Sequence, residues 1–307
     1  MTITKFLCFM FMAHNSLSLF AVDLNFIEIQ PGMFVHQGSH VDVDVGYQGD
    51  ICNIGFIIGK EAVAVIDTGG SEIIGKSMLD EIKKRTGLPI RYVINTHVHL
   101  DHIYGNAAFL DTKPIFIGHK ELPKAMRLRK EFYEQTNLKY LEIPPEDSIQ
   151  VPPTMLVEPN RIQEIDLGDR VLKLEAYPVA HTNTDLTVHD IKTDTLWTGD
   201  LVFIERVPVI DGNIQGFINA LEKLKKRNHK MIVPGHGKPT EDSMLAIKNV
   251  QKYLEILRDE IKEAIESGLG LQESIKTLGL SESKKWELFD VQNARNINMV
   301  YPMMEWE

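Results

Sequence analysis

The sequence predicts an α/β chain made of two sheets with helices on the outer face of each, followed by a helical tail. Three observations predict it. Short runs rich in β-branched residues, AVAVI, YVI and IFI, alternate with segments whose apolar residues recur at helical spacing. A second group of runs, RIQEIDL, RVLKLEAYPV, LTVHDI and TLWTG, is punctuated by turn residues and builds a second sheet. Histidines and aspartates, finally, stand where several of these runs end. The 307 residues exceed one small domain, yet α/β sandwiches reach roughly 200 to 250 residues as single units. One large domain over residues 22–240 is therefore expected, with a helical extension over 241–307 packed on it.

The segment MTITKFLCFMFMAHNSLSLFA carries one Lys, an apolar run from Phe6 to Ala13 and a second apolar patch ending at Ala21. Residues 1–21 thus resemble a secretory signal, which places the mature protein in the periplasm or outside the cell; a start at Met10 or Met12 would make it cytoplasmic. No later segment reaches the roughly 18 to 20 apolar residues of a membrane span. Only Cys8 and Cys52 occur, so signal removal leaves no pair for a disulfide. Cys52, inside ICNIGFIIG, reads as a small buried side chain rather than a reactive thiol. The formal charge of −10 and the lack of a long Lys/Arg run argue against nucleic acid or an anionic membrane as partner. A small-molecule substrate is expected, and nothing here fixes an oligomeric state.

LNFIEIQPGMFVHQG gives two short strands about the turn pair Pro31-Gly32. SHVDVDVGYQGD follows, either a flap over a site or a solvated loop. CNIGFIIG and AVAVID then form a hairpin joined at Lys60-Glu61, with Asp67 at its strand end. From Ser71 to Arg85, Ile73, Ile74, Met78, Leu79 and Ile82 share a helical face, and Gly87 stops the helix.

The stretch RYVINTHVHLDHIYGN, from Arg91 to Asn106, holds the densest chemistry. A buried strand delivers His97, His99, Asp101 and His102 within six residues. Alternate residues of an extended chain point the same way, so His97 and His99 can share one metal ion. Asp101 and His102 stand where they can cap a new helix and turn toward a neighbouring point. A polar loop with surface histidines is the plainer reading, but four donors at this spacing directly after a buried strand point to a metal site.

Gly105-Asn106 begins a helix toward Phe109, and Ile115-Phe116-Ile117 is a strand. His119 to Tyr140 reads as an amphipathic helix, with proline pairs at 144-145 and 152-153 behind it. The 119–160 segment is longer than a crossover needs, so it is either a lid or substrate wall or a plain surface excursion. The second sheet carries His181 on one loop and Asp200 on another. Asn213 to Arg227 is helical, and the strand Met231-Ile232-Val233 presents His236 between Gly235 and Gly237, which let the backbone come close to a metal. Helices are expected at 244–266, 272–278 and 283–299. The other histidines, 36, 40, 119, 189 and 229, read as structural or surface groups, with His36 or His40 as candidates for a substrate entrance.

THVHLDH resembles the HxHxDH signature of the metallo-β-lactamase superfamily, and Asp67 in AVIDTGG, His181 in PVAHTNTD, Asp200 in LWTGDLVF and His236 in IVPGHGKP stand in the order that superfamily shows. The resemblance covers roughly residues 25–240 and implies an αβ/βα four-layer sandwich. By carry-over, His97, His99 and His181 hold a first ion, Asp101, His102 and His236 a second, and Asp200 bridges them, while Asp67 braces the histidine loop. Such nitrogen and oxygen donors suit two zinc ions, with iron or manganese possible. Two such ions can hold a hydroxide that attacks an acyl carbon, with Asp101 steering the proton. The resemblance implies a metal-dependent hydrolase of an ester, thioester, lactone or related acyl bond. Lactamases of one major subclass have Cys where Asp200 stands and Lys where Phe203 stands, so β-lactam hydrolysis is the alternative. Arg206 is a candidate contact for a substrate carboxylate, or a partner in a surface ion pair. The apolar N-terminus, LNFIEIQPGMFVHQG and AHTNTDLTVHD most resemble the zinc metallohydrolases of periplasmic quinoprotein relay systems. Further alternatives are an iron-dependent oxygenase, against which the complete second ligand set argues, and a metal-stabilised binding protein without turnover.

Overall fold

Apolar alternation sorts this chain's side chains onto two sheet faces, and the computed structural model, which describes residues 22–306, shows how those faces are covered. The expected signal segment, 1–21, lies outside the described residues. β1 (Ile27–Gln30), β2 (Met33–His36), β3 (Ile54–Ile58) and β4 (Val63–Ile66) form an antiparallel meander, turning at Pro31-Gly32 and at Lys60-Glu61. After α1 (Glu72–Arg85) the sheet continues in parallel through β5 (Ile90–Ile94), α2 (Leu100–Ile103), β6 (Ile115–His119), α3 (Leu122–Leu141) and β7 (Met155–Val157). Parallel strands need crossovers, which these helices supply. The second sheet contains β8 (Ile162–Asp166), β9 (Val171–Ala176), β10 (Leu186–Asp190), β11 (Thr195–Phe203) and, after α4 (Ile214–Lys225), β12 (Met231–His236). Its spatial order is β12-β11-β10-β9-β8, with β11 and β12 parallel. α5 (Ser243–Glu266), α6 (Leu271–Thr277) and α7 (Phe289–Glu305) complete the chain.

The central strands split their residues between two cores. In β4, Ala64 and Ile66 face the second sheet, where they meet Leu172, Leu174, Val188, Trp197 and Val233, while Val63 and Val65 face Ile74, Met78 and Ile82 of α1. On the far side of the second sheet, Leu196 and Leu201 pack on Phe217, Leu221 and Leu224 of α4 and on Val250, Leu254 and Leu257 of α5. The layers are helix, sheet, sheet, helix: the four-layer αβ/βα sandwich the sequence predicts. Ile297 and Val300 of α7 belong to the same core, so the C-terminal helices close over the second sheet rather than standing apart from it. Among the described residues no helix is long and apolar enough to cross a membrane.

Several local expectations shift. Asp101 and His102 do not cap a helix; His99, in extended conformation, precedes the first turn of α2 and makes no side-chain cap. The chain then tightens into a 3-10 helix over Tyr104–Thr112 instead of a regular helix from Gly105. Asp200 lies inside β11 rather than on a loop, because the strand runs on to Phe203. The last helix begins at Phe289, not at 283, since Leu288 takes a left-handed φ of 57° and a 3-10 turn, Leu280–Glu282, precedes it. It also runs through Pro302 to Glu305, beyond the expected end at 299.

Candidate metal centre

The centre is assembled from strand ends and one buried brace. Asp67 leaves β4 with a left-handed φ of 52° and lies beside the end of β5. Its carboxylate accepts from Thr96 N at 2.8 Å, from Thr96 Oγ1 at 2.7 Å and from His102 Nδ1 at 2.7 Å. One carboxylate, 2% exposed, therefore ties both ends of the histidine loop and fixes the His102 tautomer with Nε2 turned inward.

Three imidazole nitrogens converge nearby. His99 Nδ1 stands 3.1 Å from His97 Nε2 and 3.1 Å from His181 Nε2, and Asp200 Oδ2 lies 3.7 and 3.4 Å from the latter two. Beside this group, Asp101 Oδ2 is 3.5 Å from both His102 Nε2 and His236 Nε2, while Asp200 oxygens lie 3.3 Å from each of the same nitrogens. All seven residues singled out in the sequence meet here, in two groups that share Asp200.

The remaining nitrogens are occupied in a way that leaves these ones free. His97 Nδ1–H donates to Thr96 Oγ1 at 3.0 Å, His181 Nδ1–H to the Val209 carbonyl at 2.7 Å, and His236 Nδ1–H to the Ile51 carbonyl at 2.7 Å. His99 Nε2–H donates to Asp211 Oδ2 at 2.8 Å. Donors around a tetrahedral ion with bonds of about 2.0 to 2.1 Å stand roughly 3.3 to 3.4 Å apart, and these pairs bracket that spacing. His102 Nε2 and Asp200 Oδ1 are, moreover, buried with no hydrogen-bond partner. Orphaned polar groups at such depth are costly unless a ligand takes them. The set fits a divalent metal.

Charge follows the same geometry. Burial, with His102 alongside, holds His97 well below its usual pKa, and burial brings His181 down to about 4 against the pull of Asp200. Burial also lowers His236. For His102 burial is outweighed by the Asp101, Asp67 and Asp200 carboxylates, which raise it well above the usual value. Asp200 is held well below the carboxylate range because His236, His102 and His97 outweigh its burial. Cys52 is buried as expected, its thiol donating to the Asp101 carbonyl at 2.8 Å, and burial pushes its pKa up.

Glycine matters at two places. A Cβ at Gly235 would collide with Asp200 Oδ1, so this residue lets β12 close onto the shared carboxylate. Gly237, by contrast, is needed for its φ of +97° and its approach to the Ile204 carbonyl, not for closeness to the metal donors.

The two groups open into a cavity of about 610 Å³, a size suited to a small molecule. Asp101, Asp200 and His236 line its floor; Arg129, Phe132, Tyr133 and Tyr140 of α3 form one wall and Arg295, Asn296 and Met299 of α7 another. Part of the 119–160 segment thus supplies a wall of this cavity. The 39–50 loop is clasped over this region, with Asp42 accepting from Arg295 at 2.9 Å and from Gln292 at 3.1 Å, and Asp44 accepting from Arg295 at 2.7 Å. Neither His36, bonded to Asp50, nor His40, bonded to Glu287, lines the cavity, which fits the structural reading of both over the entrance alternative.

Asp211 and Arg129 were not legible as site residues. Arg129 Nη1 and His99 Nε2 both reach Asp211 Oδ2 at 2.8 Å, which makes a chain from α3 to the first donor group. VIDGN reads as a turn before a helix cap, and only the fold brings it to His99. Arg206 lines the cavity, is 4% exposed, and has no carboxylate within ion-pairing distance among the described residues. Its Nη1 lies 3.2 Å from His236 Nδ1, a nitrogen whose proton already serves Ile51. Phe203 stacks on His236, ring centroids 5.3 Å apart at 4°.

A model of the metallo-beta-lactamase superfamily matches residues 47–236, a span that includes all these donors, and the chain belongs to that superfamily. Its fold is shared with a metallo-beta-lactamase from Pontibacter korlensis (18% identity, TM-score 0.60, covering 76% of this chain and 99% of that one). A metallo-beta-lactamase from Hirschia baltica is similar to the same degree (19%, 0.58, 75% and 98%). A double mutant of the sec-alkyl sulfatase PisA1 superposes over 82% of this chain and 45% of its own, at 15% identity and a TM-score of 0.62. Curated proteins give no match. These likenesses extend to the fold; none of the structures named is a quinoprotein-associated hydrolase.

Proposed function

We propose that the protein hydrolyses an ester, thioester or lactone of a small anionic molecule, using two divalent ions, zinc first, held by His97, His99, His181 and Asp200 and by Asp101, His102, His236 and Asp200. The observation that carries this reading is the complete double donor set opening into a cavity that contains one buried, carboxylate-free guanidinium, Arg206. Bound ions of this kind supply Lewis-acid polarisation of the acyl oxygen and acidify water.

The chain's own residues supply the rest. Asp101, at the cavity floor, takes up the proton of the attacking water and returns it to the leaving oxygen or sulfur. Arg206 holds the substrate's anionic group, because a buried guanidinium is stabilised only when paired. Phe132, Tyr133 and Met299 cover the apolar part and exclude water. Asp211 and Arg129 keep His99 oriented.

β-Lactam hydrolysis is the second reading, favoured by Arg206 as a contact for a lactam carboxylate. Against it stand Asp200 where that subclass has Cys, and Phe203, packed on His236, where it has Lys. A parallel panel of activated esters, thioesters, lactones, penicillins, carbapenems and a phosphodiester decides. The acyl esters and lactones should lead in kcat/KM. A tenfold lead for a carbapenem, about 1.4 kcal/mol of transition-state preference, would overturn the ester reading, and no turnover at all would favour a metal-stabilised binding protein.

A further inference from the structure

At the opposite ends of the strands that carry Asp200 and His236, three donors from three segments meet. His189 lies in β10, Asp194 in the turn between β10 and β11, and His229 in the link from α4 to β12. Asp194 Oδ1 is approached by His189 Nε2 at 2.9 Å and by His229 Nδ1 at 3.0 Å. The two rings sit 4.4 Å apart, inclined by 60°, and one donor atom from each of the three residues falls within 4.8 Å of the others. The turn is shaped for this: Asp194 adopts a left-handed φ of 53°, and its second oxygen takes only a long bond, 3.3 Å, from Lys230 N.

The chemistry suits a cation. Two imidazoles and one carboxylate are donor types that divalent transition metals take, and all three converge on one point. Neutral imidazole and ionised carboxylate are the states a divalent metal requires. The side chain of His229 is 4% exposed, whereas His189 and Asp194 are 20% and 35% exposed, so the cluster is anchored at its back and open at its front. Lys192, the nearest lysine on the turn, is engaged by Asp169 at 3.5 Å.

We propose that His189, Asp194 and His229 bind one divalent transition-metal ion, zinc first, with water completing the coordination. The two imidazole nitrogens, 2.9 and 3.0 Å from Asp194 Oδ1, need to open from it by only a few tenths of an ångström to reach tetrahedral spacing. Six residues of strand, roughly 20 Å, separate Asp194 from Asp200, so this ion is independent of the centre in the cavity. Its role is structural: it pins the β10–β11 turn to the start of β12, the two strands that present Asp200 and His236.

Equilibrium dialysis of the full chain against zinc, read by elemental analysis, tests the site. Wild type should bind one more ion than His189→Gln and Asp194→Asn, whose metal-free circular dichroism should match the wild type. A His97→Ala/His236→Ala variant should retain an ion that adding His189→Gln removes, with at least a tenfold loss of zinc affinity. Anomalous scattering at the zinc edge from wild-type crystals should place a peak among the three side chains, a readout that needs no variant. Equal stoichiometry in wild type and His189→Gln, or no peak there at saturating zinc, would overturn the proposal.

Discussion

Asp101 and Asp67 are both buried aspartates beside His102, yet their surroundings give them different work. Asp67 is enclosed by three donated hydrogen bonds and has no face toward the cavity. Asp101 borders the cavity, and its Oδ2, 3.5 Å from His102 Nε2 and His236 Nε2, accepts a hydrogen bond from neither. Asp101→Asn keeps the shape and removes the charge that receives a proton. Turnover of the best ester should fall by roughly 10² or more, while the group formed by His97, His99 and His181 keeps its ion. Full turnover in this variant, measured with metal content unchanged, would remove Asp101 from proton transfer. The local donors were legible in the sequence because their spacing is local: His97, His99, Asp101 and His102 sit on one short stretch, and strand geometry alone pairs the first two. Asp211 was not, because its hydrogen bond to His99 spans 112 residues and no periodicity records it.

At the scale of elements, α3 is where sequence reading stopped short. Its apolar spacing gave a helix but not the neighbour it covers, and Leu122, Ala125, Met126 and Tyr133 in fact pack on Val98, Leu100 and Ile103 of the metal loop. One face thereby seals the histidine loop while Arg129 reaches past it to Asp211. β11 was misjudged for a related reason: all nine of its residues are buried, so no alternation marks where the strand ends. Its register against β12 slips at Trp197/Gly199, directly before Asp200. Arg129 is a positioning residue in this arrangement. Arg129→Met keeps the aliphatic stem on the helix but frees Asp211, and the first ion should then bind about 10- to 100-fold more weakly. Chelator competition measures this, and the second ion, held by Asp101, His102 and His236, should be lost at the wild-type chelator concentration. Wild-type affinity for both ions would show that Asp211 orients His99 unaided.

The whole molecule joins two sheets whose outer helices and inner strands were each foreseeable from apolar periodicity, while the face-to-face packing that brings Asp67, His181 and His236 to one edge came only through the resemblance. Export is proposed from the N-terminal residues alone, and N-terminal sequencing of the mature protein should begin near Val22; an intact Met1, or a start at Met10 or Met12, contradicts it. The assembled centre also sets how the metal-free fold responds to pH. His97, His181 and His236 are held below their unfolded pKa of 6.5 and Asp200 below its own of 3.8. Groups depressed in this way stabilise fully above the unfolded value and lose that contribution as pH falls, because the unfolded chain then binds more protons. For His181, from 6.5 to about 4, the loss is about 3 kcal/mol. His102, raised well above 6.5, acts in the opposite sense: its stabilisation is complete below 6.5 and fades as pH climbs toward its folded value. The metal-free protein should therefore be most stable near pH 6.5, with Tm falling steeply toward pH 4 and more gently above neutrality. Bound metal, which competes with protons for the same nitrogens, should move that maximum upward. Thermal unfolding of metal-free and zinc-loaded protein across pH 4 to 9 measures both, and a metal-free Tm that holds level from pH 7 down to 4.5 would mean that these imidazoles are not buried neutral in the fold.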